Sequence, residues 1–134
     1  MAVARSLRLL NLLAALDSLA TGIGAVLFAD KLFAWLQLPP TRDGVLLCLT
    51  LGALTLTHAP CLILAALRPR TWGGLVVVPL VGRALLAAAW LWLLNAERVR
   101  PSPDALRWLL VHDAVWLPLF VVFLLVAGRT PKAG

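Results

Sequence analysis

Five ionisable residues interrupt stretches that are otherwise apolar: Asp17, His58, Arg83, His112 and Asp113. A charge in such surroundings is costly, so each of the five is a candidate for function and needs a partner. Arg83 stays protonated at any working pH and requires a carboxylate. Asp17 matches it in depth, and Asp113 is within reach of a long guanidinium. Counted from the helix ends on the N-terminal side, Asp17 lies eight residues in and His58 and Arg83 nine or ten. His112 and Asp113 are expected about five residues farther along, roughly 7 Å by helical rise. The Asp17 and Arg83 pair admits two readings: an ion pair that fixes the register of two helices, or a site for a proton, ion or solute.

Other chemistry finds less support in these residues. Two histidines on separate helices raise a bis-histidine haem. Their depths differ by roughly 8 Å, whereas ligands on opposite haem faces need nearly equal depth. No cofactor is expected, with haem through His58 and His112 the lesser alternative. His112 and Asp113 are adjacent and point about 100° apart on a helix, so no metal site is expected. Trp116, one turn from His112, suits core filling as well as a ligand site. The chain has no glycine-rich phosphate loop, no nucleophile paired to a base and no metalloprotease pattern, so no catalytic residue is assigned. Cys48 and Cys61 stand thirteen positions apart in one expected helix, roughly 20 Å, too far to bridge, and read as small core residues.

The elements that must hold these residues follow from composition. With 134 residues, 62% of them apolar and 13% charged, and a mean hydropathy of +0.95, the chain lies outside the range of soluble domains. Four stretches reach the ~20 apolar residues needed to cross a bilayer: 9–28, 44–67, 73–94 and 105–127. None alternates with period two, which excludes a barrel. The expected fold is all-α: a single-domain integral membrane four-helix bundle, antiparallel and up-down, with short loops at Pro39–Asp43, Arg68–Arg70 and Asn95–Asp104. Ser102 can cap the last helix, with Pro103 at its first position and Asp104 at the positive end of its dipole. Between the first two spans, Asp30–Leu36 reads as a short amphipathic helix on the membrane surface.

Small residues at Asn11, Ala15, Ser18, Gly22, Ala25 and Ala29 recur at steps of three and four and form a seam for close helix contact. Pro60, Pro79 and Pro118 sit within the second, third and fourth helices and free the carbonyls of Leu56, Leu75 and Ala114. Two readings stand: prolines are common in membrane helices, or three kinks at one level splay the bundle and open a cavity toward the cytoplasm.

Lys and Arg number six on the N-terminal side (Arg5, Arg8, Arg68, Arg70, Arg129, Lys132) and five on the other (Lys31, Arg42, Arg98, Arg100, Arg107). This margin places both termini in the cytoplasm. Trp35, Trp90, Trp92 and Trp108 then fall at the outer interface and Trp72 at the inner one. The net charge of +6 belongs to these flanks, so the partner is the lipid bilayer and no nucleic acid is implied.

The segment Gly22-Ile-Gly24 followed by Phe28-Ala29-Asp30-Lys31-Leu32 resembles the first helix of DoxX-like small bacterial membrane proteins. That resemblance implies a four-helix protein of the bacterial inner membrane, in a group where some members accompany oxidoreductase complexes. It assigns no site residue. Small size and the lack of a chemical motif point first to a non-enzymatic accessory or scaffold subunit bound to another membrane protein or to copies of itself. The alternatives are a small proton-coupled carrier using Asp17, Arg83, His112 and Asp113, and a redox, quinone or haem subunit.

Overall fold

The computed structural model describes residues 2–96 and 100–128, and every regular element among them is helical. The loop charges Glu97 and Arg98 and the terminal Arg129 and Lys132 lie outside the described residues. Helix α1 (Ala2–Leu27) turns at Phe28 into a short α2 (Ala29–Leu36). Then come α3 (Arg42–Leu56), α4 (His58–Leu67), α5 (Pro69–Trp72), a 3-10 turn (Gly73–Val76), α6 (Val77–Asn95) and α7 (Pro103–Gly128). Taken through their bends, four stretches are long and apolar enough to cross a membrane: Arg5–Leu27, Arg42–Leu67, Pro69–Asn95 and Pro103–Val126.

Local chemistry explains the ends. Helix α2 closes with Gln37 in the left-handed region (φ 58°), where Leu38 N–H donates to Phe33 O at 3.0 Å and Gln37 N–H to Ala34 O at 3.1 Å. This is the Schellman arrangement, and the prolines at 39 and 40 bar any continuation. Thr41 caps α3 by accepting from Gly44 N–H at 3.2 Å. Ser102 accepts from Ala105 N–H at 3.3 Å and donates to Trp35 O at 3.2 Å, so the start of α7 is fastened to the end of α2.

Two spans that read as continuous are interrupted. The second breaks at Thr57, whose N–H and hydroxyl both turn back to Leu54 O. Pro60, three residues on, has no N–H to give Leu56 O, so the α-helical ladder is open at this point. The third begins at Pro69 and passes through the 3-10 turn before Val77, with Pro79 just beyond. Pro118, by contrast, lies within α7, which continues to Gly128.

Helix α1 packs on α3 and α4, α6 packs on α7, and α4 joins the two pairs through the 3-10 turn and α6. The seam works through glycine: a Cβ on Gly22 would meet the Gly52 carbonyl oxygen at 2.9 Å, and one on Gly52 would meet Ala25 Cβ at 2.8 Å. The core is one-sided. Ala14, Ala15, Ala59, Leu62, Ala65, Val76, Phe120 and Phe123 form one buried cluster in the half nearer the start of α1, with the phenylalanines filling space left by the alanines. Of the two readings of the prolines, this packed half gives the splayed bundle no support among the described residues.

Gly22→Ala should destabilise the chain by about 1–3 kcal/mol through overpacking against the Gly52 backbone. Gly24→Ala, whose Cβ meets nothing within 4 Å, should be neutral or slightly stabilising. Denaturant unfolding of both variants in the same detergent checks the contrast.

Candidate functional site

Asp17 on α1, Arg83 on α6 and His112 on α7 form a closed ring of hydrogen bonds. Arg83 Nη2 donates to Asp17 Oδ2 at 2.5 Å. His112 Nε2 lies 2.9 Å and 3.0 Å from the two Asp17 oxygens, and Arg83 Nη1 lies 3.0 Å from His112 Nδ1. Because a guanidinium can only donate, Nδ1 must present its lone pair and Nε2–H must face the carboxylate. One tautomer of a neutral imidazole satisfies all three partners.

Asp113 joins by charge and not by hydrogen bonding: its Oδ1 is 3.7 Å from Arg83 Nη1 and 3.6 Å from His112 Nδ1. The group thus brings together two carboxyl groups, one guanidinium and one imidazole. Its side chains are shielded, Arg83 to 4% of its surface and the Asp113 side chain to 14%. In such surroundings Arg83 without Asp17 would keep only the looser Asp113 contact at 3.7 Å.

Aromatic rings complete the frame. The His112 ring stacks on Trp108 at 4.7 Å and 19°, Trp108 meets Trp35 edge-on at 5.7 Å, and the Arg83 guanidinium lies 5.7 Å from the centre of Trp116. Trp108, His112 and Trp116 follow at i, i+4 and i+8, which puts the stack on one stripe of α7. That spacing is legible in the sequence, yet Trp108 read there only as an interface anchor.

His58 stands apart from the ring. It is buried against Gly82, where any Cβ would come within 2.6 Å of Nε2. Its Nδ1, like Arg83 Nε, has no hydrogen-bond partner. Both side chains line a cleft of about 70 Å³ together with Thr21, Thr55, Trp108 and His112. All four spanning stretches contribute to its wall, and it lies toward the α2 half. At ~30 Å³ per water this space holds about two waters.

The expected depth of His112 is corrected by these distances. Measured from the ends nearer α2, Asp17 is ten residues from Leu27 and His112 nine from Pro103, so the two are level. Counting from the opposite ends assumed those ends to be flush, and the spanning helices differ in length. Both nitrogens of His112 lie within hydrogen-bond distance of Arg83 or Asp17, and His58 Nε2 abuts Gly82. Asp17, His112 and Asp113 converge on Arg83, so a guanidinium occupies the position a cation would take.

The chain matches no protein-family model, no curated protein and no solved structure. The functional argument accordingly rests on the geometry above.

Asp17→Asn should cost about 3–5 kcal/mol by removing the charge that Arg83 and His112 both bond, whereas Asp113→Asn, which loses only the longer 3.7 Å contact to Arg83, should cost under about 1 kcal/mol. The exchange Asp17→Arg with Arg83→Asp should recover part of the first loss. Unfolding midpoints in lipid nanodiscs read all three, and equal losses for Asp17→Asn and Asp113→Asn would contradict this assignment.

Proposed function

We propose that the chain is an integral membrane protein, an up-down bundle of four spans with both termini cytoplasmic, serving as a non-enzymatic accessory subunit of a larger membrane complex. The observation that carries this reading is the distribution of buried surface. The hydrogen bonds of Asp17, Arg83 and His112 close on one another inside the bundle, while α7 exposes apolar side chains along its length and only 11% of its most apolar stretch is buried. Trp108, Leu110, Val111, Val115, Val121, Val122 and Leu125 all stand exposed. A cleft with room for about two waters and a packed opposite half offer no passage for a solute of ordinary size.

A second reading, a small proton-coupled carrier, draws on one specific observation: the second span is interrupted at Thr57, between the cleft-lining Thr55 and His58, and carriers build their binding sites from broken helices. In that case Asp17→Ala in a folded protein abolishes flux, whereas an accessory subunit carries no flux to lose.

A photo-crosslinking side chain placed at Leu110 or Leu91, on the exposed faces of α7 and α6, should capture one discrete protein in the native membrane. The same group at Leu9 or Leu16 of α1 should capture lipid. Capture of lipid alone from every position would remove the accessory reading.

A further inference from the structure

The charge outside the spans is divided unequally between the two ends of the bundle. Toward α2, bases alternate with acids: Lys31 follows Asp30, Arg42 precedes Asp43, Arg98 follows Glu97, and Arg107 Nη1 lies 3.9 Å from Asp104 Oδ1. The end at the start of α1 has Arg5, Arg8, Arg68 and Arg70, and among the described residues no acid accompanies them. The fold gathers these arginines at one level. Gly22 of α1 meets Gly52 of α3; Arg8 lies fourteen residues back along α1 from that contact and Arg68 sixteen onward through α4, roughly 21 and 24 Å by helical rise. Leu7, beside Arg8, packs on the cluster that holds Ala65, three residues before Arg68. All four guanidinium-bearing residues are exposed.

Resting on the reading of the chain as membrane-spanning, we propose that this end binds the headgroups of anionic phospholipids, with Arg5, Arg8, Arg68 and Arg70 taking the phosphates. Three observations select this occupant. The apolar stretches run over Arg5–Leu27, Arg42–Leu67 and Pro69–Asn95, so Arg5, Arg68 and Arg70 stand at span boundaries, the level at which headgroups lie. Exposed Trp72, two residues after Arg70, is of the type that settles at that interface. Finally, all four cations are arginines, whose planar fork of donors matches a phosphate in two parallel hydrogen bonds, and no side chain of this end competes for them as an anion.

Other anions fit less well. A nucleic acid offers the same phosphate chemistry, but it must come from solution, whereas the bilayer holds lipid phosphates at the level of the arginines at all times. A zwitterionic lipid brings its own cation with each phosphate and gains less from a cluster of positive charge. The opposite end meets headgroups too, but there Asp30, Asp43 and Asp104 repel the anions that Lys31, Arg42 and Arg107 would attract. The molecule thus carries its own control surface.

The test reconstitutes the full chain in phosphatidylcholine bilayers and measures, by electron paramagnetic resonance, its association with spin-labelled phosphatidylglycerol and spin-labelled phosphatidylcholine. Headgroups meet both ends whichever way the chain inserts, so orientation does not enter. The anionic lipid is expected to associate about fivefold more tightly, the scale of one basic residue at an anionic surface, and less so in high salt. Glutamine at Arg5, Arg8, Arg68 and Arg70 together should bring the ratio to about one. Glutamine at Lys31, Arg42 and Arg107 should leave it unchanged, and equal unfolding midpoints in pure phosphatidylcholine check that both variants are folded. A parent protein without preference, a four-arginine variant that keeps it, or an opposite-end variant that loses it equally would overturn the proposal. Displacement of the bound lipid by an equimolar single-stranded oligonucleotide would assign the arginines to nucleic acid and overturn it as well. A chain that stays in the bilayer through an alkaline carbonate wash yet shows no preference loses this proposal alone, whereas a chain that the wash extracts loses the membrane reading itself.

Discussion

A guanidinium cannot give up its proton to escape an apolar environment, and the arrangement around Arg83 follows from that constraint. Lys or His in the same place can neutralise, but Arg83 must be answered by fixed charge and fixed acceptors. Asp17 supplies the charge, His112 supplies a lone pair at Nδ1, and the same imidazole returns its Nε2 proton to Asp17. Three helices far apart in sequence are thereby tied at a single level. In the membrane proposed here the alternative is an unpaired charge in hydrocarbon, which makes the ring a strong determinant of which helix faces meet.

The division of the molecule into unlike halves is consistent with this. Nearer the start of α1, alanines and two phenylalanines pack without polar help, and the Gly22–Gly52 contact brings α1 against α3. Toward α2 the spans enclose a cleft, and polar and aromatic contacts take over: the ring itself, the Trp35–Trp108–His112 stack, and Ser102 fastening α7 to α2. The break at Thr57 falls where these regimes meet. It places His58 against Gly82, beside Arg83, and so under the ring.

How much of this is legible in the sequence depends on the kind of information each feature needs. Lengths of apolar residues and the Ser102-Pro103-Asp104 start signal are local, and they place the four long helical stretches to within a few residues. The pairing of Arg83 with Asp17 is also readable, because an obligate cation among apolar residues has few candidate partners. Depth was not readable from the ends first used to count it: His112 seemed a turn and a half away because the helix ends were taken as flush. Pro60 and Pro79 accompany irregular backbone whereas Pro118 lies within an unbroken α7, and whether a kink opens space or is filled depends on side chains from other helices. Here Leu62, Val76, Phe120 and Phe123 fill it. That Asp113 borders both the inner cleft and a groove between α6 and α7 likewise depends on which face of α7 turns outward, a tertiary fact that spacing alone does not decide.

The most direct measurement of the central claim is solid-state NMR on the isotopically labelled protein in lipid bilayers, reading contacts and proton positions at the ring. The account predicts correlations from the Asp17 carboxylate carbon to both His112 Nε2–H and an Arg83 Nη, with His112 neutral and Nδ1 unprotonated. An Asp17 carboxylate that correlates only with water, or a His112 carrying its proton on Nδ1 toward Asp113, would contradict it.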